Sequence, residues 1–154
     1  MATVRDATAA DAALISRITK AAWTGRVNPN SSAFRETEVQ IADDLAEGGG
    51  CVLLVDGEPA GSVRWSPVAG AWEVRRMGVL PAFRGRGHAL RLMDAVVSRA
   101  RQQGIAELRL AVRRDQPRLL DLYAGMGYAP APGVEYMHAN PGSPLWVMRR
   151  KLGA

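Results

Sequence analysis

The chain has 154 residues, of which 47% are hydrophobic, and 20 lysine and arginine side chains against 15 acidic ones give it a net charge of +5. This length fits one domain, residues 1–154, with a sizeable core, and no apolar run approaches the roughly 18 residues of a membrane helix. Cys51 is the only cysteine, which excludes an intrachain disulfide and gives no sign of a metal site. The N-terminus lacks the apolar stretch of a secretory signal, so we expect a cytoplasmic protein.

The surplus of positive charge has two interpretations. It attracts a polyanion or a phosphorylated cofactor, or it belongs to an ordinary solvated surface. The arginines are spread along the chain without a block of like charges, which excludes a basic tail.

The first third of the chain predicts a strand followed by two helices. A short strand covers 4–6, and a capping box over 8–11 opens a helix that ends near Trp23. A second helix is predicted over 33–47, and the three glycines at 48–50 end it.

The remaining segments alternate between strand and helix patterns. Residues 51–55 and 60–65 predict a hairpin, and 71–79 predicts a third strand. The later segments are a helix over 87–103, a strand over 105–112, a helix over 115–127 and a last strand over 144–152. The order predicts an α/β domain with a mixed central sheet and helices on both faces.

Residues 79–89, Val-Leu-Pro-Ala-Phe-Arg-Gly-Arg-Gly-His-Ala, lie between a predicted strand and a predicted helix. Gly85 and Gly87 allow the backbone to turn tightly and to approach a ligand. The N–H groups of the loop and of the first helical turn form an anion site, and Arg84 and Arg86 add positive charge. The pattern indicates a ligand that carries a pyrophosphate.

Two other phosphate-binding loops fail at this segment. A P-loop ends in Gly-Lys-Ser/Thr, which the chain lacks, and a Rossmann loop needs a third glycine where Leu90 stands. A strand-to-helix turn whose glycines serve geometry alone remains the alternative.

Two segments together resemble the GNAT family of N-acetyltransferases. Residues 84–89, Arg-Gly-Arg-Gly-His-Ala, are similar to the family's pyrophosphate motif Arg/Gln-x-x-Gly-x-Gly/Ala. Residues 122–128, Leu-Tyr-Ala-Gly-Met-Gly-Tyr, are similar to its Leu-Tyr-x-x-x-Gly-Phe/Tyr segment. The resemblance implies the GNAT fold and transfer of an acetyl group from acetyl-coenzyme A to a primary amine of a small molecule or peptide.

The resemblance also implies how the cofactor is held. Backbone groups of Met77 and Val79 bind the pantetheine arm, backbone amides from Gly85 to Leu90 hold the pyrophosphate, and the strands that carry Val79 and Val112 part to admit it. Gln116 stands where the family often has asparagine, and the His88 side chain, in place of an aliphatic one, is expected to point away from the phosphates. The predicted cofactor residues are Met77, Gly78, Val79, Arg84, Gly85, Arg86, Gly87, His88, Ala89, Leu90 and Gln116.

A base is needed because an alkylamine is protonated at neutral pH. Glu73 lies six residues before Val79, at a position where the family often has a glutamate that serves as the base. Its neighbours Trp72 and Val74 should lie on the other face of the strand. The alternative for Glu73 is a surface glutamate paired with Arg75 or Arg109. Glu135 and His138 are the reserve candidates for the base.

The leaving thiolate needs a proton or a hydrogen bond, and Tyr123 lies at the family's spacing for that role. The alternative is a tyrosine of the core. A backbone N–H near Val79 is expected to meet the oxyanion, and Cys51 is expected in the core rather than as a nucleophile.

Two other function classes stay open. One is a non-catalytic acyl-coenzyme A sensor, and the other is a nucleic-acid-binding domain, which no helix-turn-helix or aromatic motif supports. The acceptor is expected to contact 23–34 and 130–144, which contain no code for a particular amine. No membrane contact and no metal are expected, and homodimerisation stays open.

Overall fold

The computed structural model describes residues 1–27, 29, 31–138 and 145–153. These residues form four α-helices and one seven-stranded sheet in the order β1-β2-β3-β4-β5-β7-β6. The strands are β1 (Ala2–Asp6), β2 (Gly49–Val55), β3 (Glu58–Val68), β4 (Ala71–Val79), β5 (Glu107–Arg113), β6 (Ala129–Pro130) and β7 (Leu145–Lys151). The helices are α1 (Ala12–Trp23), α2 (Glu38–Glu47), α3 (His88–Gln102) and α4 (Arg118–Gly125). Within the described residues, no helix has the length and apolar content to cross a bilayer.

Helices cover both faces of the sheet, so the predicted fold class is confirmed. Ile15 of α1 and Ile41 of α2 pack with Val52 of β2 on one face. Leu53, the next residue of β2, packs with Met93 of α3 on the other face, where α4 also lies. Because successive side chains of a strand point to opposite faces, a strand buried on both faces reads as a continuous apolar run. This is the pattern that predicted the strand over 51–55.

The first two helices begin with capping boxes. The predicted capping box is present, and the Asp11 carboxylate accepts the Thr8 N–H at 2.8 Å. It opens a 3₁₀ turn over Ala9–Asp11, which was not predicted, and α1 follows from Ala12. The predicted start of the second helix at residue 33 is wrong, because α2 begins at Glu38. Thr37 and Gln40 make reciprocal bonds of 3.1 and 2.8 Å that fix this start, while a separate 3₁₀ turn covers Ser32–Phe34.

The starts of β2 and α4 also differ from the sequence-based expectation. The strand predicted to begin at residue 51 begins at Gly49, which pairs with Trp65 of β3. A Cβ on Gly49 would lie 2.5 Å from the Trp65 ring. Only glycine therefore fits beneath the Trp65 indole, which stacks on Trp72 at 4.9 Å. The helix predicted to start at Asp115 starts at Arg118, since the Asp115 carboxylate pairs with Arg113 instead of capping the helix.

Strands β4 and β5 pair only over their first three residues. The parallel ladder between the two strands ends at Glu73 and Arg109, whereas each strand continues its antiparallel ladder on its other side. Beyond the end of this ladder β4 contains a bulge, in which two residues, Arg76 and Met77, oppose the single Val63 of β3. Arg76 has a φ of 55° at this bulge. The expected parting of the strands that carry Val79 and Val112 is thereby confirmed.

A buried ion network ties the segment between α1 and α2 to the sheet. The Arg64 guanidinium of β3, 1% exposed, donates to Glu36 at 2.7 and 2.9 Å and to Asp44 at 3.1 Å, and Arg75 donates to the same Asp44 oxygen at 3.1 Å. Burial alone would raise the pKa of Glu36, but its hydrogen bonds with Arg64 and the charges of the neighbouring arginines bring that pKa below its ordinary value of 4.5. The network therefore contributes stability above about pH 4.5, and this stability is lost as the pH falls.

The single thiol lies inside the protein. Cys51 is 0% exposed in the core beneath α3, and burial raises its pKa to about 12. The thiol is protonated and out of reach of solvent, which is the environment of a structural cysteine.

We expect Arg64→Leu to lower the free energy of unfolding by about 3 kcal/mol, because it leaves the partly buried carboxylates of Glu36 and Asp44 without their main partner. Arg5→Ala removes the exposed Arg5–Asp11 pair and should cost about 1 kcal/mol or less. Urea denaturation of both variants at neutral pH measures the difference. Equal stability of the two variants would show that the Arg64 network contributes no more to stability than the exposed Arg5–Asp11 pair.

Candidate functional site

A cavity of about 550 Å³ opens where β4 and β5 part. Its walls come from both strands, the loop between β4 and α3, the end of α1, and α4. All predicted site residues except Arg86 and Glu73 line this cavity: Met77, Gly78, Val79, Arg84, Gly85, Gly87, His88, Ala89, Leu90, Gln116 and Tyr123. Their assigned roles stay predictions, but the fold brings together residues up to 46 positions apart in sequence.

The glycine-rich loop leads directly into the N-terminus of α3. Gly85 and Gly87 have φ values of +78° and +76°, a conformation that side chains other than glycine rarely adopt. A Cβ on either glycine would meet no protein atom within 4 Å, so the loop has room for a ligand against its backbone. Because Gly87 is the N-cap of α3, the free N–H groups of the first helical turn border this open space and favour an anion there.

Three arginines from separate parts of the chain meet beside this loop. Arg26, Arg84 and Arg118 line the cavity, and no carboxylate of the described residues forms an ion pair with any of them. Burial, followed by the charges of Arg26 and Arg118, lowers the pKa of Arg84. Three cations held together without a counter-charge form an electrostatic site for a polyanion.

Arg84 and Gln116 also fasten the cavity walls to one another. The Arg84 guanidinium donates to the Val79 carbonyl at 3.2 Å and to the Ala22 carbonyl at the end of α1. Gln116 donates to the Arg26 carbonyl and accepts from Arg118 at 2.7 Å. Both side chains therefore position the cationic cluster as well as face the cavity.

His88 occupies the first position of α3 and is 6% exposed. Neither ring nitrogen has a hydrogen-bond partner in the described part of the chain. Burial, with the charges of Arg91 and Arg86, lowers the pKa of His88. The ring is therefore neutral near pH 7 and adds no charge to the anion site. Arg86 is exposed and lies outside the cavity wall.

Tyr123 of α4 faces the cavity from the side of β5. Its ring meets the Tyr128 ring edge to face at 6.0 Å, and burial raises its pKa to about 12. The phenol keeps its proton at every physiological pH and can therefore donate a hydrogen bond into the cavity.

Glu73 lies behind the cavity wall and contacts the loop that follows β6. The Glu73 carboxylate is 0% exposed and accepts the N–H of Met137 at 2.5 Å and that of His138 at 3.1 Å. It also bonds to Nδ1 of the His138 imidazole, and His138 itself lines the cavity. As expected, Trp72 and Val74 lie on the opposite face, in the core beneath α3.

Another part of the cavity wall combines aromatic and cationic side chains. The Arg76 guanidinium stacks over Trp23 at 5.4 Å and donates to Ser32 at 3.0 Å. The Tyr136 hydroxyl donates to the Val74 carbonyl at 3.1 Å, which ties the loop that follows β6 to β4. The segments expected to contact an acceptor therefore do contribute to this wall, although Asn28, Asn30 and 139–144 lie outside the described residues.

Sequence reasoning did not find the cluster of Arg26 and Arg118 with Arg84, or the bond between Glu73 and His138. The members of each group are far apart in the chain, and no local pattern marks them. The glycine loop was found because its turn geometry and the helix N-terminus are local properties.

Residues 15–128 match a family model described as "Acetyltransferase (GNAT) family". The match covers most of the chain and includes both segments on which the resemblance rested. No curated protein matches the sequence.

Solved structures share the fold at low sequence identity. The PaiA N-acetyltransferase of Thermoplasma acidophilum in complex with coenzyme A is 13% identical with a TM-score of 0.80, over 98% of this chain and 99% of that one. The ribosomal-protein-S18-alanine N-acetyltransferase of Escherichia coli is 17% identical with a TM-score of 0.79, over 100% and 96%. The N-acetylglutamate synthase of Neisseria gonorrhoeae, complexed with coenzyme A and N-acetyl-glutamate, is 17% identical with a TM-score of 0.80, over 100% of this chain but 36% of that one.

We expect Gly87→Ala to weaken acetyl-coenzyme A binding by about tenfold or more, since the added Cβ strains a backbone that must lie against the ligand. Calorimetric titration measures the affinity. Gly104→Ala is the matched control, because Gly104 also has a positive φ and open space around its Cβ but lies at the far end of α3. Equal affinities of the two variants would contradict a role of the loop in binding.

Proposed function

We propose that this chain, which belongs to the acetyltransferase (GNAT) family, moves the acetyl group of acetyl-coenzyme A to a primary amine of a small molecule or peptide by direct transfer. The observation that carries the proposal is the cavity between the parted strands. It is bordered by a glycine loop, a helix N-terminus and three arginines that form no ion pair with a carboxylate of the described residues. No covalent enzyme intermediate is required, and the buried Cys51 thiol offers no nucleophile.

The residues present fit acetyl-coenzyme A. The open space at Gly85 and Gly87 suits a pyrophosphate, and Arg26, Arg84 and Arg118 supply charge for phosphate oxygens. Residues 77–79 belong to the part of β4 that does not pair with β5. Their free backbone polar groups suit the amides of a pantetheine arm. When bound, acetyl-coenzyme A supplies an activated acetyl thioester.

The charges of the cavity wall bear on the acceptor. The described lining residues include six arginines and no aspartate or glutamate: Arg26, Arg75, Arg76, Arg84, Arg113 and Arg118. The sequence also has no acidic residue at the internal positions that the structure does not describe, which are 28, 30 and 139–144. A second cationic group on the acceptor would find no counter-charge there, so an acceptor with one amine and a neutral or anionic remainder is favoured over a polyamine.

Tyr123 is proposed to assist the departing thiolate. A phenol with a pKa of about 12 is a weaker acid than an ordinary thiol, whose pKa is about 8.5, so complete proton transfer to the thiolate is unfavourable. A hydrogen bond from the phenol stabilises the developing thiolate without that transfer. The proton of the released thiol can then come from the amine, which loses it when the amide forms.

We expect purified protein with acetyl-coenzyme A to release free thiol in the presence of some amines of a broad panel. A linear monoamine should have a higher kcat/KM than spermidine, because of the cationic wall. A higher kcat/KM for spermidine would contradict the proposal that the acceptor has one amine and a neutral or anionic remainder. Binding of acetyl-coenzyme A without turnover on any amine would instead indicate the non-catalytic sensor.

We expect Tyr123→Phe to lower kcat by roughly 10- to 100-fold with little change in acetyl-coenzyme A affinity, since a hydrogen bond to a charged group is lost. Burial raises the pKa of the Tyr123 phenol to about 12. The pH–rate profiles of the wild type and of Tyr123→Phe should therefore both lack a decline caused by this group below about pH 11. Tyr128→Phe is the matched control, because the Tyr128 hydroxyl bonds to the Met93 sulfur at 3.0 Å outside the cavity wall. Steady-state kinetics and melting curves distinguish a role of Tyr123 in assisting the thiolate from a role in the core alone. An unchanged kcat for Tyr123→Phe would exclude assistance to the thiolate.

A further inference from the structure

The buried position of Glu73 separates its carboxylate from any bound amine. The side chain is 0% exposed, and the N–H groups of Met137 and His138 lie against its two oxygens. A bound amine or a bridging water would have to displace the loop around His138 to reach this carboxylate. The group that stands between Glu73 and the cavity is the His138 imidazole.

The hydrogen bond between Glu73 and His138 determines which ring nitrogen is available. A carboxylate accepts hydrogen bonds, so Nδ1 of His138 carries the hydrogen that it donates to Glu73 Oε1. In the neutral ring, Nε2 then has a free lone pair. The side chain is 34% exposed and lines the cavity, and residues 1–27, 29, 31–138 and 145–153 offer Nε2 no hydrogen bond.

We propose that His138 Nε2 is the base that receives the amine proton, and that Glu73 is a positioning residue that fixes the ring and its tautomer. The proposal rests on the proposed acetyl transfer and assigns its proton acceptor to this chain's own residues. It unites two residues that the sequence offered only as rival bases. Glu73 also stabilises the imidazolium that forms when His138 takes the proton.

The proton and electron balance of this step is complete. The ammonium form of the acceptor gives one proton to Nε2, and the nitrogen lone pair so freed forms the bond to the acetyl carbon. The carbon–sulfur bond breaks with its electron pair on sulfur. The thiolate takes the second proton of the amine nitrogen, and His138 returns the first proton to solvent.

The tautomer can be measured without any acceptor. The chain has two histidines, His88 and His138, so ¹⁵N-labelled histidine gives two imidazoles in long-range ¹H–¹⁵N spectra, and His138→Gln assigns them by loss of one. At a pH where the ring is neutral, the proposal expects His138 protonated on Nδ1 in the wild type. It also expects loss of this single tautomer in Glu73→Gln. A wild-type ring protonated on Nε2 would overturn the proposal.

Kinetics on the most active amine of the panel then test the roles. His138→Gln should lower kcat by about 10²–10⁴-fold, while the acetyl-coenzyme A affinity stays within about twofold of wild type. Glu73→Gln should lower kcat by about 10–10²-fold, and the double variant should be no slower than His138→Gln alone. Glu58→Gln is the control, because this exposed carboxylate lies at the start of β3, outside the cavity wall. It should retain wild-type turnover.

Chemical rescue distinguishes a base from a structural side chain. Free imidazole should restore turnover to His138→Ala in proportion to its neutral concentration, and more basic substituted imidazoles should restore more. Near-normal turnover of His138→Gln beside a severe loss in Glu73→Gln would return the role of base to Glu73. Absence of turnover with every amine, together with the Nδ1–H tautomer, would contradict the acetyl transfer and leave the Glu73–His138 pair established.

Discussion

The parting of β4 and β5 is the constraint on which the rest of the site depends. A sheet normally pairs every main-chain N–H and C=O of an interior strand, but the ladder between these two strands ends at Glu73 and Arg109. The polar backbone beyond that point faces a cavity rather than another strand. Leaving such groups without partners is costly, so an opening of this kind is stable when water or a ligand satisfies them.

The surrounding elements hold the opening in place. A bulge at Arg76 lies in the part of β4 that no longer pairs with β5, and the Arg76 guanidinium stacks over Trp23 at the end of α1. The ion network around Arg64 fixes the segment before α2 to the same part of the sheet. The walls of the cavity are therefore held by the same interactions that hold the fold together. Side chains that are fixed in this way lose less conformational entropy when a ligand binds.

The sequence predicted the features that depend on neighbouring residues and missed those that depend on distant ones. The glycine loop and α3 were located because Gly85, Gly87 and the helical pattern after them lie within a few turns of chain. The start of α2 was misplaced, although the Thr37–Gln40 capping box is also local, because the apolar pattern of a nearby 3₁₀ turn ran into it. The arginine cluster and the Glu73–His138 bond join residues that only the completed sheet brings together, and the parting of the strands was expected from family resemblance alone.

The burial of Cys51 has a practical meaning for work on this protein. The reaction proposed here would release a thiol, and colorimetric reagents that detect thiols would also titrate any accessible cysteine of the enzyme. The only cysteine of this chain is enclosed under α3 and held in its protonated form, so the folded protein contributes no background colour. The same reagents would react with Cys51 once the sheet opens. A slow rise of signal in the absence of acetyl-coenzyme A would thus count unfolded molecules, and a single assay would report both turnover and the integrity of the sample.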